Sequence, residues 1–460
     1  MAGKSGLIHV EEGPIGATLL RFALPVLVSQ LLQELYNVAD CMVVGRFGGG
    51  YALAAVGEAG MLLGVLIKFF IGFSSGVSVV TSRLFGEHDY AGLRATMTAV
   101  FRLVIGVGAA LSLSGVLGAE AMLRALNCPA SVLPQAATYL RICSVGLCAQ
   151  LTYNVGTEIL RSLGDTRAPL RLYLVSVCAN LTLDVLFVVG FHWGVAGAAE
   201  ATLLSQVLLA VLLLRHLTRL GEDCALRLTG PGLPWGELRA ILRSGLPAGM
   251  QAFFMSLSSI LIQTGINHFG PHAIAGMLLY SKVEGVLYLP TFAYGIALTG
   301  FVGQNYGAGR LDRIEEAVRL SLKTMAVVIL PLSLAATAAS PLLLQAFTTD
   351  GSDIFFAHEA ILFNLPVYVV YAVNQVYLGA IKGLGDTAYP MVCTLFCYSL
   401  FRVAWCAVLI PVFESMRVVY LSYDVSFFLM TALLVPMYRR KLRQAAGHLT
   451  HHPHRDPALV

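Results

Sequence analysis

Charge is what this sequence has least of. Only 12% of its 460 residues are Asp, Glu, Lys or Arg, and 57% are hydrophobic. Soluble domains carry about 25% charged residues, so the shortage excludes an ordinary water-soluble fold. Lys and Arg outnumber Asp and Glu by only 30 to 26. They stand at the ends of apolar runs, with no basic stripe and interleaved aromatics of the kind that grips nucleic acid. The nine cysteines include no C-x-x-C pair and lie mostly inside apolar segments. That excludes a disulfide framework or zinc ribbon and makes them small packing residues. A cleavable leader is not expected. The first apolar run is long, is interrupted by Pro25 and lacks a small-residue cleavage pattern.

What the sequence has is long apolar runs, each near or above the roughly 20 residues that cross a bilayer. Twelve helices are expected, over about 15–44, 51–84, 91–117, 131–163, 170–189, 194–214, 240–267, 272–306, 313–339, 354–383, 389–412 and 418–438. The second six repeat the first. Leu160-Arg161-Ser162-Leu163-Gly164-Asp165-Thr166 matches Ile381-Lys382-Gly383-Leu384-Gly385-Asp386-Thr387, Leu24-Pro25 matches Leu246-Pro247, and Phe47-Gly48 matches Phe269-Gly270. Six helices per half make the repeat parallel. The expected fold is therefore an all-α polytopic membrane protein with 12 transmembrane helices in two six-helix pseudo-symmetric bundles. The predicted divisions are a lead at 1–14, a first bundle at 15–216, a linker at 217–239, a second bundle at 240–440 and a disordered tail at 441–460. Arg83, Arg94, Arg161, Arg167, Arg215, Arg239, Arg310, Lys382 and Arg439 fall on one side, which predicts cytoplasmic termini. His448, His451, His452 and His454 belong to the tail and are read as disordered rather than as metal ligands.

A carboxylate inside hydrocarbon costs at least about 2.5–3.5 kcal/mol, so it needs a partner, a cavity or a proton. Asp40 is such a carboxylate. Gln33, Tyr36, Asn37 and Asp40 recur at helical spacing and line one face. Counted at 1.5 Å per residue, Asp40, Asp184 and Thr202 all lie roughly 9–12 Å in from the outer face. Asn37, Asn154 and Asn180 form a deeper layer, with Gln206 below them. Two acids with amides and hydroxyls at matching depths predict one polar pocket in the first half, suited to a proton or Na⁺. Structural bonding between helices is the alternative use of such groups. The second half lacks this pocket, because Ile262 stands opposite Asp40 and Trp405 or Cys406 opposite Asp184. Its Glu284 is expected to be neutralised by Lys282 or Arg402. Lys68 either faces a cavity or meets a carboxylate, Glu158 is expected to pair with Arg161, and the roles of Glu200 and Asp424 are open.

Gly383-Leu384-Gly385-Asp386 and Tyr423-Asp424 also match the G-x-G-D and Y-D of intramembrane aspartyl proteases. The order is reversed, however, and Asp386 falls in a loop. Both Gly-Asp-Thr stretches read instead as helix-ending turns, and no enzyme activity is expected.

Several stretches together resemble the multidrug and toxic compound extrusion (MATE) transporters, nearest the prokaryotic DinF-like branch. They are Leu35-Tyr36-Asn37-Val38-Ala39-Asp40, Val44-Gly45-Arg46-Phe47, Asn180 to Asp184, Gly194-Val195-Ala196-Gly197, Val302-Gly303-Gln304-Asn305-Tyr306-Gly307 and the two Gly-Asp-Thr loops. The resemblance covers about residues 15–440. It implies two bundles around a central cavity and alternating access. It also implies export of mostly cationic, amphipathic compounds by antiport with H⁺ or Na⁺, in a bacterial cytoplasmic (inner) membrane. Asp40, Asn180, Asp184 and Thr202 would form the ion site, with Asn154 nearby, and Na⁺ could sit there. Pro25 would be the kink of the first helix. Gln33, Tyr36, Asn37, Tyr153, Gln206, Tyr288 and Phe292 would line the substrate cavity. No cofactor beyond the coupling ion is implied, and a monomer would suffice. Glu158, Glu200 and Asp424 depart from the family pattern. The rival reading is a flippase for lipid-linked saccharides, kept open by Lys68 and Arg402.

Overall fold

The computed structural model describes residues 10, 13–126, 128–221, 224–227 and 235–451. Most of the lead at 1–14, part of the linker at 217–239, and His452 and His454 lie outside the described residues. All regular structure within them is helical: α1 Ile15–Phe47, α2 Ala52–Gly86, α3 Tyr90–Ala125, α4 Leu133–Val145, α5 Leu147–Ser162, α6 Arg167–Asp184 and α7 Gly194–Leu217. There follow α8 Trp235–Asn267, α9 Pro271–Gly307, α10 Leu311–Gln345, α11 Gly351–Gly383, α12 Ala388–Thr394, α13 Phe401–Phe413 and α14 Arg417–His451. A π-helical turn, Val185–Gly190, extends α6, and another, Leu395–Leu400, joins α12 to α13.

Eleven of these helical stretches are long and apolar enough to cross a membrane. The twelfth expected span is the α4–α5 pair, interrupted at Gly146. Large apolar side chains point outward, Leu117 at 77% exposure and Leu342 at 74%, as helices facing lipid require. Inside, Phe85, Phe101, Leu151 and Ile159 pack α2, α3 and α5 together. A second cluster holds Ala55, Leu123, Leu140 and Ala198.

The chain forms two compact units, one of residues 25–249 and one of Val10–Leu24 with 250–460. The division therefore differs from the expected one at 217–239. The switch falls at Pro25 and just past Pro247, both inside helices. Proline lacks the N–H that would bond back one turn and clashes with the carbonyl there, so a helix changes neighbours most readily at that point. The expected linker is also more ordered than its polarity suggested: Cys224 and Leu226 are buried in the first unit's core, and Arg227 O accepts from Thr98 Oγ1 at 2.8 Å. The expected disordered tail is corrected over 441–451, which continues α14. Lys441 Nζ reaches Asp386 Oδ2 at 2.8 Å and Ala445 is buried, which holds that end of the helix down.

The two Gly-Asp-Thr loops are the helix-ending turns expected. Gly164 and Gly385 both have φ +91. Asp165 Oδ1 accepts from Ala168 N at 2.9 Å, and Asp386 Oδ1 from Tyr389 N at 3.0 Å. Burial pushes the Asp165 carboxyl up. Hydrogen bonds from His216 and Ala168 N, with the charge of Arg171, outweigh it and hold the group below its ordinary 3.8. Asp386 behaves alike: burial raises it and Lys441 and Tyr389 N lower it further. A depressed carboxylate adds stability above its unfolded pKa and loses it as pH falls through the folded value. Asp165→Ala should therefore lower stability at pH 7 by about 1–2 kcal/mol, the usual worth of such a cap. The gap to wild type should close in acid, as pH falls below the ordinary carboxylate value and through the lower folded one. Thermal unfolding in micelles at both pH values checks this, and a gap unchanged in acid would contradict it.

Candidate ion-coupling site

A cavity of about 510 Å³ lies within the first unit. Its walls come from the faces that helical spacing selects. From α1 it takes Ser29, Gln33, Tyr36, Asn37 and Asp40, from α5 Gln150, Tyr153, Asn154 and Glu158, from α6 Tyr173, Ser176 and Asn180, and from α7 Thr202, Ser205 and Gln206. Glycines 60 and 64 of α2 leave room opposite.

Nine of the first-half polar and aromatic residues singled out from the sequence thus meet around one space: Gln33, Tyr36, Asn37, Asp40, Tyr153, Asn154, Asn180, Thr202 and Gln206. Asp184 differs from expectation. It is fully buried and stands behind the wall, as the last α-helical residue before the π turn. It remains within electrostatic reach of Asp40. A π turn inside a membrane helix recurs at functional positions. Tyr288 and Phe292 belong to the second unit, stacked 5.5 Å apart at 13°, with Tyr288 also on Tyr371 at 6.3 Å. They are not among the residues that line this first-unit cavity.

The polar groups are incompletely satisfied. Asn180 Nδ2 donates to Ser205 Oγ at 3.3 Å, Ser205 Oγ to Thr202 O at 2.9 Å, and Ser176 Oγ to Ser205 O at 3.0 Å. Against these stand buried oxygens with no protein partner: Asp40 Oδ1, both oxygens of Asp184, Asn180 Oδ1, Thr202 Oγ1 and Gln206 Oε1. Buried polar atoms are ordinarily hydrogen-bonded. Among the described residues no Lys, Arg or His pairs with either Asp. Two carboxylates, an amide oxygen and a hydroxyl make a hard, oxygen-rich, anionic set. Such a set accepts a proton or a small cation.

Two cationic residues share the cavity. Arg161 pairs with Glu158 at 2.5 Å, as expected. Lys68 lines the wall, and among the described residues no carboxylate lies within ion-pair distance of it, which resolves its two readings in favour of the cavity. Glu200 does not line the space. Sequence reasoning missed Ser205, Tyr139 and Cys143. Ser205 is three residues beyond Thr202, and Tyr139 and Cys143 are an i, i+4 pair on α4, so spacing alone would have found them.

The MatE family profile matches residues 25–186 and 247–408, the two repeats in turn. The chain belongs to that family. It is a MATE-type efflux transporter, a multi-pass membrane protein and not an enzyme. It is 26% identical over 392 residues to the probable multidrug resistance protein YpnP of Bacillus subtilis, covering 85% of this chain and 87% of that one. It is 28% identical over 336 residues to an FAD transporter of Shewanella oneidensis, at 71% and 72% coverage. Among solved structures, an outward-facing multidrug resistance MATE transporter of the MOP superfamily superposes with a TM-score of 0.87 at 20% identity, over 97% of this chain and all of that one. A MOP superfamily transporter from Pyrococcus furiosus, described as having a binding pocket of reverse polarity, gives 0.83 at 20% identity, over 96% and 99%. These two likenesses support the MATE fold.

Proposed function

We propose that this MATE protein exports small cationic, amphipathic compounds across a bacterial cytoplasmic membrane, and that entry of H⁺ or Na⁺ at Asp40, Asp184, Asn180 and Thr202 drives it. Asn154 supports the site from the next layer. The observation that carries this is the group of partnerless buried oxygens beside an aromatic-walled cavity. An ion arriving from outside neutralises the carboxylates and lets the drug go. Its departure inside restores negative charge that attracts the next cationic substrate. Each inward charge gains about 2.3 kcal/mol per 100 mV of membrane potential. Tyr36, and Tyr153 stacked on Tyr173 at 6.2 Å, supply flat surfaces for cation–π contact. Both termini lie in the cytoplasm, as the Lys and Arg placement favours, and one chain suffices for transport.

The test is a cationic dye in proteoliposomes with imposed ΔpH or Na⁺ gradients. Gradient-dependent dye movement against its concentration is expected. Its absence for every cationic dye, with both gradients, would sink the reading. Lys68 and Arg161 in the wall favour a second reading, an anionic substrate such as a lipid-linked saccharide or a phosphorylated cofactor. The FAD transporter relative keeps it in view. Transport of an anionic but not a cationic probe would select it.

A further inference from the structure

The proposed cycle uses one pole of the first-unit cavity and leaves the other without a task. The buried groups that line the space and lack a protein partner sort by helix. Oxygens come from α1, α6 and α7: Asp40 Oδ1, Asn180 Oδ1 and Gln206 Oε1. Nitrogens come from α5: Asn154 Nδ2 and Arg161 Nε. Lys68 on α2 adds an ammonium to this second side, and among the described residues no carboxylate pairs with it. Glu158 lines the same side, but Arg161 holds it at 2.5 Å. That pair is neutral, so Lys68 is the uncompensated charge.

The two poles also differ in depth. The turn at 48–51 joins α1 to α2. Asp40 stands about two turns before α1 ends at Phe47, and Lys68 more than four turns after α2 starts at Ala52. At 1.5 Å of rise per residue, Lys68 lies roughly 13 Å farther from the connecting turn than Asp40 does. A cavity of about 510 Å³ is the size that takes a drug-sized molecule, so one ligand reaches both poles. A simple cation satisfies only the first. It takes the place of the coupling ion near Asp40 and leaves Lys68 unpaired, in a setting where a lone charge is costly. A molecule with an oxyanion at its other end pairs both.

We propose that Lys68 is a specificity-determining residue, and that the substrates this cavity prefers are dipolar. Their cationic group sits at Asp40, Asn180 and Thr202. Their carboxylate or other oxyanion sits at Lys68, with Asn154 Nδ2 as a further donor. The inference rests on the cationic reading of the Asp40 site given above and narrows it: of two cations with the same skeleton, the one that carries a distant anion binds better. Specificity is a difference of affinities, and here the difference comes from whether Lys68 finds a counter-charge.

The test reads equilibrium binding to the purified protein in micelles, with no gradient imposed. The probes are tritiated trimethylammonio-undecanoate, whose charges stand about as far apart as the two poles, and its methyl ester, which keeps the cation and the skeleton and lacks the anion. Wild type should bind the acid at least roughly tenfold more tightly than the ester, about 1.4 kcal/mol. Lys68→Gln should erase or reverse that ratio, Lys68→Arg should keep it, and Asp40→Asn should weaken both probes. Equal binding of acid and ester by wild type, or binding of neither, would overturn the proposal, and so would a ratio that survives Lys68→Gln. Lys68 is an exposed side chain on the cavity wall, so Lys68→Gln should fold. One comparison needs no variant: the shorter trimethylammonio-butyrate should show no preference over its own ester, and an equal preference there would also overturn the proposal. Failure of the transport reading looks different. The acid-to-ester ratio and its loss in Lys68→Gln would remain, while neither a ΔpH nor a Na⁺ gradient moved either probe in proteoliposomes.

Discussion

Asp40→Asn should reduce gradient-driven efflux at least roughly tenfold while the protein inserts and folds normally. The substitution is nearly isosteric. It removes a charge whose buried position is costly, so thermal stability should stay level or rise. What it takes away is the reason for an ion to bind: half of the carboxylate pair and one of the oxygens without a protein partner. A loss of about 1.4 kcal/mol in ion affinity already corresponds to tenfold. Asp184→Asn should act alike, although it stands behind the cavity wall, because it reaches the ion through the Asp40 field and not through contact with substrate. Groups that act as one unit are not additive, so the double variant should be little worse than either single one. The measurements are dye efflux from proteoliposomes and micelle melting of the same preparations. Undiminished efflux in Asp40→Asn at normal insertion would remove the central claim.

Gly76→Val should be among the most damaging single changes to folding. A Cβ on Gly76 would come within 2.4 Å of Gly245 Cα and 2.5 Å of Ser244 O. Both are backbone atoms of α8, so no side chain can swing aside, and α2 and α8 would have to separate. Small residues at membrane helix contacts exist to allow such approach. Overpacking of a tight interior costs about 1–3 kcal/mol, sometimes more, and a branched side chain against backbone belongs at the upper end. Gly57, on the same helix, has nothing within 4 Å of its Cβ position. Gly57→Ala should be neutral or gain up to about 1 kcal/mol from helix propensity. Fluorescence-detected size exclusion after a heating series separates the two, and equal melting points would show that the α2–α8 contact is not tight.

Much of the fold is legible in the sequence. Apolar length alone predicts the spans, and the turn chemistry of Gly164-Asp165 and Gly385-Asp386 predicts two of the helix ends. The i, i+3, i+4, i+7 pattern of Gln33, Tyr36, Asn37 and Asp40 predicts one wall of the cavity. The reading weakened wherever backbone hydrogen bonding departs from the α pattern. The interruption at Gly146 left two short helices where one was expected. The repeat interval is 221 residues at Asp165 and Asp386 and 222 at His192 and Glu414, with a π turn in each unit between them, so spacing alone leaves Trp405 or Cys406 opposite Asp184.

Return to Asp40 shows where the boundary lies. The sequence by itself determined that this carboxylate sits in an apolar helix, on one face with Gln33, Tyr36 and Asn37, because a 3.6-residue period leaves no choice of face. Family membership follows from the sequence as well, since the MatE profile matches both repeats. Only the tertiary structure decided that Asn180 meets Ser205, that Asp184 stands behind the wall, that Lys68 faces the cavity, and that the chain changes units at Pro25. Periodicity sets which residues share a face. How each helix is rotated, and which neighbour it meets, depends on packing against residues hundreds of positions away, and no local pattern encodes that.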